Sequence, residues 1–141
     1  MKIHLQKKKD SEFEYLAENQ RGNQVALCNS TMDKPTSASP MELILMAISG
    51  CSSIDIVNIL KKQNLKIEDL QVETSGVRSE TVPKVFTEIN LLVKIKGEIP
   101  PKKAFRAAQL SFEKYCSVSK MLDKTVDIKY QVELNGNIVG G

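Results

Sequence analysis

The sequence of 141 residues contains no tryptophan, one histidine, and aromatic residues at only 5% of its positions. A chain with so few aromatic rings has little with which to stack the bases of single-stranded nucleic acid. Charge of one sign is also lacking, since 20 basic and 17 acidic residues leave a net charge of +3. That surplus is too small and too scattered to predict a nucleic-acid partner.

Clustered metal ligands are missing as well. The three cysteines, Cys28, Cys51 and Cys116, are far apart in sequence, no CxxC motif is present, and His4 is the only histidine. Zinc sites usually draw four ligands from closely spaced Cys and His residues. The sequence therefore predicts no metal and no other cofactor.

The N-terminus, Met1 to Leu5, lacks the apolar core of a signal peptide, so we expect a cytoplasmic protein. The apolar run from Met41 to Leu60 approaches membrane-spanning length. Polar and charged residues interrupt it, namely Glu42, Ser49, Ser52, Ser53, Asp55 and Asn58. This pattern favours the core helix of a globular protein over a membrane span.

The length predicts a single domain over residues 1–141. In the first third, period-two spacing and a turn at Arg21 to Asn23 predict a meander of three strands, followed by a loop over 29–38. Ser39-Pro40-Met41-Glu42 matches a capping box with proline at the first helical position, which predicts a helix from there to about Lys61.

Alternating apolar residues predict two strands after this helix, around Leu70 to Thr74 and Thr87 to Ile95. Helical spacing then indicates an amphipathic helix over 102–116 and a shorter one over 118–122. A half-buried strand over 126–134 and a loose tail end the chain. The order of elements is that of an α+β protein.

The long helix has two unusual features. It is apolar all round, and because one sheet covers only one side of a helix, a second subunit would have to cover the rest. It also switches in its middle to five small residues, Ser49 to Ser53, including a mid-helix Gly50 that costs about 1 kcal/mol relative to alanine. Either a second helix or a small substrate could make the close approach that these residues allow.

Two cysteine-centred motifs complete the pattern: the run from Ser39 to Ser52, and Glu113-Lys114-Tyr115-Cys116-Ser117-Val118. Together with the stretch from Val77 to Leu91, they resemble the osmotically inducible protein C and organic hydroperoxide resistance (OsmC/Ohr) superfamily. The sequence is most similar to a branch in which serine, here Ser117, follows the second cysteine. The resemblance implies antiparallel sheets wrapped around two long central helices, in an intertwined homodimer with each site at the subunit interface.

The resemblance also implies roles for the cysteines: Cys51 attacks a small peroxide, and Cys116 resolves the sulfenic acid as a disulfide that an unknown dithiol reductant reduces. This fits thiol chemistry, because a thiolate cleaves the peroxide and a nearby second thiol prevents over-oxidation. An apolar pocket built from Leu45, Met46, Ile48 and Ile54 would favour organic hydroperoxides.

The sequence departs from the peroxidase branches of the superfamily in two ways. Where they have a glutamate that holds an activating arginine, this chain has Met41, and Glu42 comes one residue later, about 100° around the helix. Glu42 is either a positioning residue or only the acid of the capping box. The activating arginine could be Arg21, Arg78 or Arg106, each of which could equally be a surface or dimer-contact residue.

Asp55 lies at i+4 from Cys51, where its negative charge would raise the pKa of the thiol. We interpret it as a cap or an interface hydrogen-bond partner, and Cys28 as a small buried hydrophobe. The leading functional hypothesis is a thiol-dependent peroxidase. The alternatives are a small-ligand-binding dimer and a redox-sensing or sulfur-transfer protein.

Overall fold

The structure, a computed structural model, describes all 141 residues. The chain divides into two compact units, Met1–Ile44 and Leu45–Gly141. The single domain over residues 1–141 stays a prediction.

The first unit contains an antiparallel meander of β1 (Ile3–Lys7), β2 (Glu14–Asn19) and β3 (Gln24–Cys28). The turn between β2 and β3 uses Gly22 at φ +83°, a conformation that glycine adopts without steric cost. A loop follows β3 as far as the start of the long helix. The strands and the loop confirm the interpretation of the first third of the sequence.

The long helix α1 (Pro40–Lys61) begins where the capping box predicts. The N–H of Ser39 donates to Glu42 Oε2 at 2.7 Å, and the N–H of Glu42 donates to Ser39 Oγ at 3.3 Å. These reciprocal bonds satisfy two backbone donors that the first helical turn leaves unpaired.

The second unit contains a four-stranded sheet in the order β4 (Asp69–Arg78), β5 (Phe86–Lys96), β6 (Asp127–Leu134) and β7 (Asn137–Gly140). The connection from β5 to β6 consists of α2 (Pro101–Leu110), a π-helical turn (Ser111–Tyr115) and α3 (Ser117–Leu122). Because this crossover returns the chain to the end of the sheet at which β5 begins, β5 and β6 run parallel. This pair departs from the expectation of purely antiparallel sheets.

One face of the four-stranded sheet forms the core of this unit. Alternate residues of β5 are buried on it, Ile89, Leu91, Val93 and Ile95. The helix α1 contacts this face at β4, where Ser49 Oγ and Thr74 Oγ1 are 2.6 Å apart. On β6, the ring of Tyr130 stacks with Phe112 at 4.7 Å between centroids.

The helix α1 is buried along one stripe only. Its fully buried side chains follow at intervals of four residues, Ile48, Ser52, Ile56 and Leu60. Met46 and Ile54 are 56% and 65% exposed. In the single chain one side of the helix is therefore covered and the other is exposed, as expected for an all-round apolar helix packed on one sheet. Cover of the exposed side by a second subunit stays a prediction.

Two further features of α1 concern its surroundings. A Cβ added at Gly50 would meet no atom of this chain within 4 Å, so no second helix of the same chain makes the close approach there. The helix is also long and apolar enough to cross a membrane by length and composition. Core helices of soluble proteins pass the same test.

Two predicted elements differ from those observed. The helix expected over 102–116 changes at Ser111 from α to π geometry, which widens each turn by one residue. The tail expected to be loose forms β7, paired with β6 through a turn in which Asn135 and Gly136 have φ +49° and +88°. An Asn-Gly turn of this kind is the strongest short-range hairpin signal.

Candidate functional site

Two cysteines and a carboxylate lie together within the second unit. Cys51 and Asp55 project from α1 one turn apart and are half-buried. Cys116, which follows the π-helical turn, is completely buried. The two Sγ atoms and a carboxylate oxygen of Asp55 all lie within 4.8 Å of one another.

The π-helical turn positions Cys116. The N–H of Cys116 donates to Ser111 O at 2.8 Å, which closes the wide turn. The residue then adopts an extended conformation and caps α3, where the N–H of Ser119 donates to its Sγ at 3.4 Å. The hydroxyl of Ser119 also donates to Phe112 O at 3.0 Å. Backbone hydrogen bonds therefore fix the chain on both sides of Cys116, and one of them, from the N–H of Ser119, reaches its sulfur.

A single hydroxyl connects α1 to the π-helical turn. Ser111 is completely buried, and its Oγ donates to Asp55 Oδ2 at 3.1 Å. The same atom lies 3.4 Å from Ser52 O, a longer and weaker contact. The Ser111 hydroxyl thus fixes the Asp55 carboxylate beside the two sulfurs.

The two thiols differ in their electrostatic environment. Burial raises the pKa of Cys116 to about 12, and the neighbouring Cys51 and Asp55 act in the same direction. Burial disfavours the charged thiolate, and a carboxylate nearby repels it. Cys116 is therefore a neutral thiol at physiological pH.

The candidate arginines make their hydrogen bonds elsewhere. Arg78 donates from Nε to Lys84 O at 2.7 Å, and Arg106 donates from Nη1 to Gln109 Oε1 at 2.7 Å. Arg21 is exposed in the turn between β2 and β3. The structure records no hydrogen bond from any of the three to Cys51, Asp55 or Cys116, so an activating role for them stays a prediction.

The remaining candidate residues occupy ordinary positions. Glu42 is engaged in the capping box, where bonding from Ser39 lowers the pKa of its carboxyl group. Cys28 is buried, as interpreted from the sequence, and its Sγ donates to Ser37 O at 3.0 Å. His4 is exposed on β1.

The apolar residues expected to line a pocket do not share one environment. Ile48 is completely buried, whereas Met46 and Ile54 are exposed. A cavity of about 660 Å³ lies along β4, β5 and β6, and neither cysteine is among its lining residues. Three smaller cavities do not include the cysteines either.

Sequence reasoning found both cysteines but underestimated two of their neighbours. Asp55 lies at i+4 from Cys51, but the spacing of Cys and His residues alone gives no sign that this carboxylate joins the two thiols. Ser111 carries no signal in the sequence, because its contact with Asp55 depends on how the π-helical turn meets α1. The sequence signal for the contribution of Asp55 is its position on the same face of α1 as Cys51, one helical turn away.

The fold and the site define the chain as an α+β protein with a paired-cysteine centre. A family model described as "OsmC-like protein" matches residues 33–131. Protein YhfA of Escherichia coli K12 is 40% identical over 121 residues, covering 85% of this chain and 89% of YhfA. The chain therefore belongs to the OsmC-like protein family, as the resemblance predicted.

Solved structures have the same fold. A hypothetical protein from Aquifex aeolicus is 29% identical with a TM-score of 0.81, covering 95% of this chain and 96% of that one. The organic hydroperoxide resistance protein OsmC of Legionella pneumophila is 18% identical with a TM-score of 0.71, covering 94% and 97%. At that identity the second likeness shows the fold alone.

Proposed function

We propose that the protein is a thiol-dependent peroxidase that reduces small organic hydroperoxides. The observation that carries the proposal is the unequal pair of thiols, whose sulfurs lie within 4.8 Å of each other. Cys51 is half-buried and can meet a substrate, whereas Cys116 is enclosed and stays protonated. The former is suited to attack and the latter to resolution. The substrate class is the one that the resemblance of the two cysteine motifs to the OsmC/Ohr superfamily implies.

In the first step, the Cys51 thiolate attacks the terminal oxygen of the hydroperoxide. The O–O bond breaks, Cys51 becomes a sulfenic acid, and the alkoxide takes up a proton and leaves as the alcohol. In the second step, Cys116 loses its proton and its sulfur attacks the Cys51 sulfur. The hydroxyl group leaves as water and the disulfide forms, which requires the sulfurs to close to about 2.05 Å. A dithiol reductant then restores both thiols.

The proposal includes a homodimer. Exposed apolar side chains on α1, including Met46 and Ile54, and the open space at Gly50 offer a surface for a second copy of the helix. A partner there would also enclose Cys51, which no cavity described for the single chain contains. A cytoplasmic location suits a reaction cycle that consumes dithiol reductant. Nucleic acid and membrane are not part of the proposed function.

The surroundings of the thiols predict a slow peroxidase. Met41 occupies the position of the family glutamate, and the nearest charged side chain in the cluster is the acidic Asp55. Loss of one positioned charge-assisted contact costs about ten- to a thousandfold in rate. The same observation favours the second candidate function, a redox-sensing or ligand-binding dimer that is oxidised once and does not turn over efficiently.

The test is steady-state reduction of cumene hydroperoxide by the reduced protein with a dithiol reductant. We expect saturable turnover that Cys51→Ser abolishes, while Cys116→Ser reacts once and over-oxidises at Cys51. Cys28→Ser is the matched control, because that thiol is buried at the end of β3 and should leave turnover unchanged. Slow stoichiometric oxidation in the wild type would support the sensor instead, and turnover that survives in Cys51→Ser would overturn both assignments.

The arginine candidates are tested by the pH dependence of Cys51 alkylation in Arg21→Ala, Arg78→Ala and Arg106→Ala. If one of them activates Cys51, removing it raises the pKa of that thiol. If the pH dependence of Cys51 alkylation is unchanged in all three variants, none of these arginines activates Cys51.

A further inference from the structure

The three side chains that meet at the candidate site are also a set of metal ligands. Two thiols and one carboxylate lie within 4.8 Å of one another, counted between the atoms that would bind. Tetrahedral zinc with Zn–S near 2.3 Å and Zn–O near 2.1 Å separates its ligand atoms by about 3.5 to 3.8 Å. Closing each pair by at most about 1.3 Å through side-chain rotation would therefore satisfy that geometry.

We infer that the reduced protein binds one Zn²⁺ ion per chain through Cys51 Sγ, Cys116 Sγ and a carboxylate oxygen of Asp55. This departs from the prediction of no metal, which rests on the spacing of the Cys and His residues alone. Thiolate ligands favour zinc over hard cations such as Mg²⁺ and Ca²⁺. Three protein ligands leave the fourth position open to water, as in zinc sites that are not closed by the protein.

The structure supports this inference with a second, independent feature. Ser111 is completely buried and donates its hydroxyl to Asp55 Oδ2, which leaves the other carboxylate oxygen available. Hydrogen bonds that orient a ligating carboxylate are a regular part of metal sites. Cys116 Sγ is oriented in a similar way by the N–H of Ser119. Two of the three ligands are thus held in place by neighbouring donors.

Zinc binding and disulfide formation exclude each other, because both use the same two sulfurs. Peroxide converts two bound thiolates, with two protons, into the disulfide, the alcohol and water, and Zn²⁺ is released. Zinc in turn protects Cys51 from alkylation. Metal occupancy would therefore report the redox state of the pair whether or not the protein turns over peroxide.

The experiment is a titration of the reduced protein with Zn²⁺ against a competing chromophoric chelator, without peroxide. We expect one ion per chain in the wild type and in Cys28→Ser. Cys51→Ser and Cys116→Ser should lower the affinity by at least about a hundredfold, and Asp55→Asn by about ten- to a hundredfold. Asp55→Asn keeps an oxygen that can accept from Ser111, so its loss of affinity reports the missing charge.

A second measurement does not depend on the folding of variants. X-ray absorption at the zinc edge of the wild-type complex should show two sulfur ligands, with the remaining ligands oxygen. No binding, binding unchanged in either cysteine variant or in Asp55→Asn, or a spectrum without two sulfurs would each overturn the site. Because no peroxide is present, failure here is distinct from failure of the peroxidase.

Discussion

The two regions that carry the cysteines are built in opposite ways. Around Cys51, α1 is a regular helix with a buried stripe on one side and exposed apolar residues on the other. Around Cys116, the chain changes from α to π geometry and back within a few residues, and the thiol is completely buried. The comparison shows that the same chemical group is half-buried at one position and completely buried at the other. The accessible thiol can meet a substrate, and the enclosed one can meet only its neighbour.

The largest expected effect is on the reactivity of Cys116. With its pKa raised to about 12, this thiol has about a thousandfold less thiolate at neutral pH than an ordinary cysteine. Alkylation of Cys116 in the native protein should therefore be about a thousandfold slower than in the protein unfolded by urea. Peptide mass spectrometry after timed iodoacetamide pulses measures both rates. Equal alkylation rates in the native and the unfolded protein would show that burial does not lower the reactivity of Cys116.

The same raised pKa predicts a loss of stability at alkaline pH. Because folding raises the pKa of Cys116, the folded state keeps a proton that the unfolded state loses above about pH 8.5. The contribution is complete below that pH and is lost as the pH rises toward about 12. Denaturant unfolding under reducing conditions should lose up to about 1.4 kcal/mol per pH unit from this group.

The matched comparison for that prediction is Cys116→Ser, in which the titrating group is absent. Tyr130 also has a pKa raised to about 12 by burial, so it contributes in the same direction in both proteins. The difference between the two stability profiles isolates the cysteine. Parallel profiles across this pH range would contradict the assignment.

A smaller effect is expected at Asp55. Replacing it with asparagine removes a negative charge that raises the pKa of Cys116, so the disulfide should form faster after peroxide treatment. The gain is at most about tenfold, the size of a single charge interaction in a partly solvated site. Quenched-flow mass spectrometry follows the sulfenic acid and the disulfide. The control is Ser111→Ala, which keeps the negative charge of Asp55 but removes its hydrogen bond from Ser111. If disulfide formation accelerates equally in that variant, the orientation of the Asp55 carboxylate, and not its charge, is the cause.

The smallest effect is expected at Gly50 on the open side of α1. Since a Cβ there meets no atom of the chain within 4 Å, Gly50→Ala should stabilise the isolated chain by up to about 1 kcal/mol through helix propensity. If the helix of a second copy packs against this position, the same change should instead weaken the dimer. Analytical ultracentrifugation with thermal unfolding separates the two results. An unchanged dimer would place the interface elsewhere.

The sequence predicted much of this fold because strong local signals agree with it. The capping box fixed the start of α1, and alternation located most of the strands. The π-helical turn could not be predicted, because its spacing of apolar residues is also that of an α-helix. The strand β7 was missed although Asn135-Gly136 is a hairpin signal, since the four residues of β7 are too few to show a clear period.

The candidate site was predictable in its parts but not in its arrangement. Cys51 and Cys116 carry recognisable motifs, and the structure brings them together. The roles of Asp55 and Ser111 depend on tertiary contacts between α1 and the π-helical turn, more than 50 residues apart in sequence. No local pattern reports such a contact.

The most direct test of the central claim is a disulfide map after one equivalent of cumene hydroperoxide. Reduced protein is treated, alkylated, digested without reductant and analysed by mass spectrometry. Mixing isotope-labelled and unlabelled chains distinguishes bonds within a chain from bonds between chains. The structure predicts a bond between Cys51 and Cys116 of the same chain, with Cys28 recovered as a free thiol. A bond that includes Cys28, or one that joins two chains, would contradict the account.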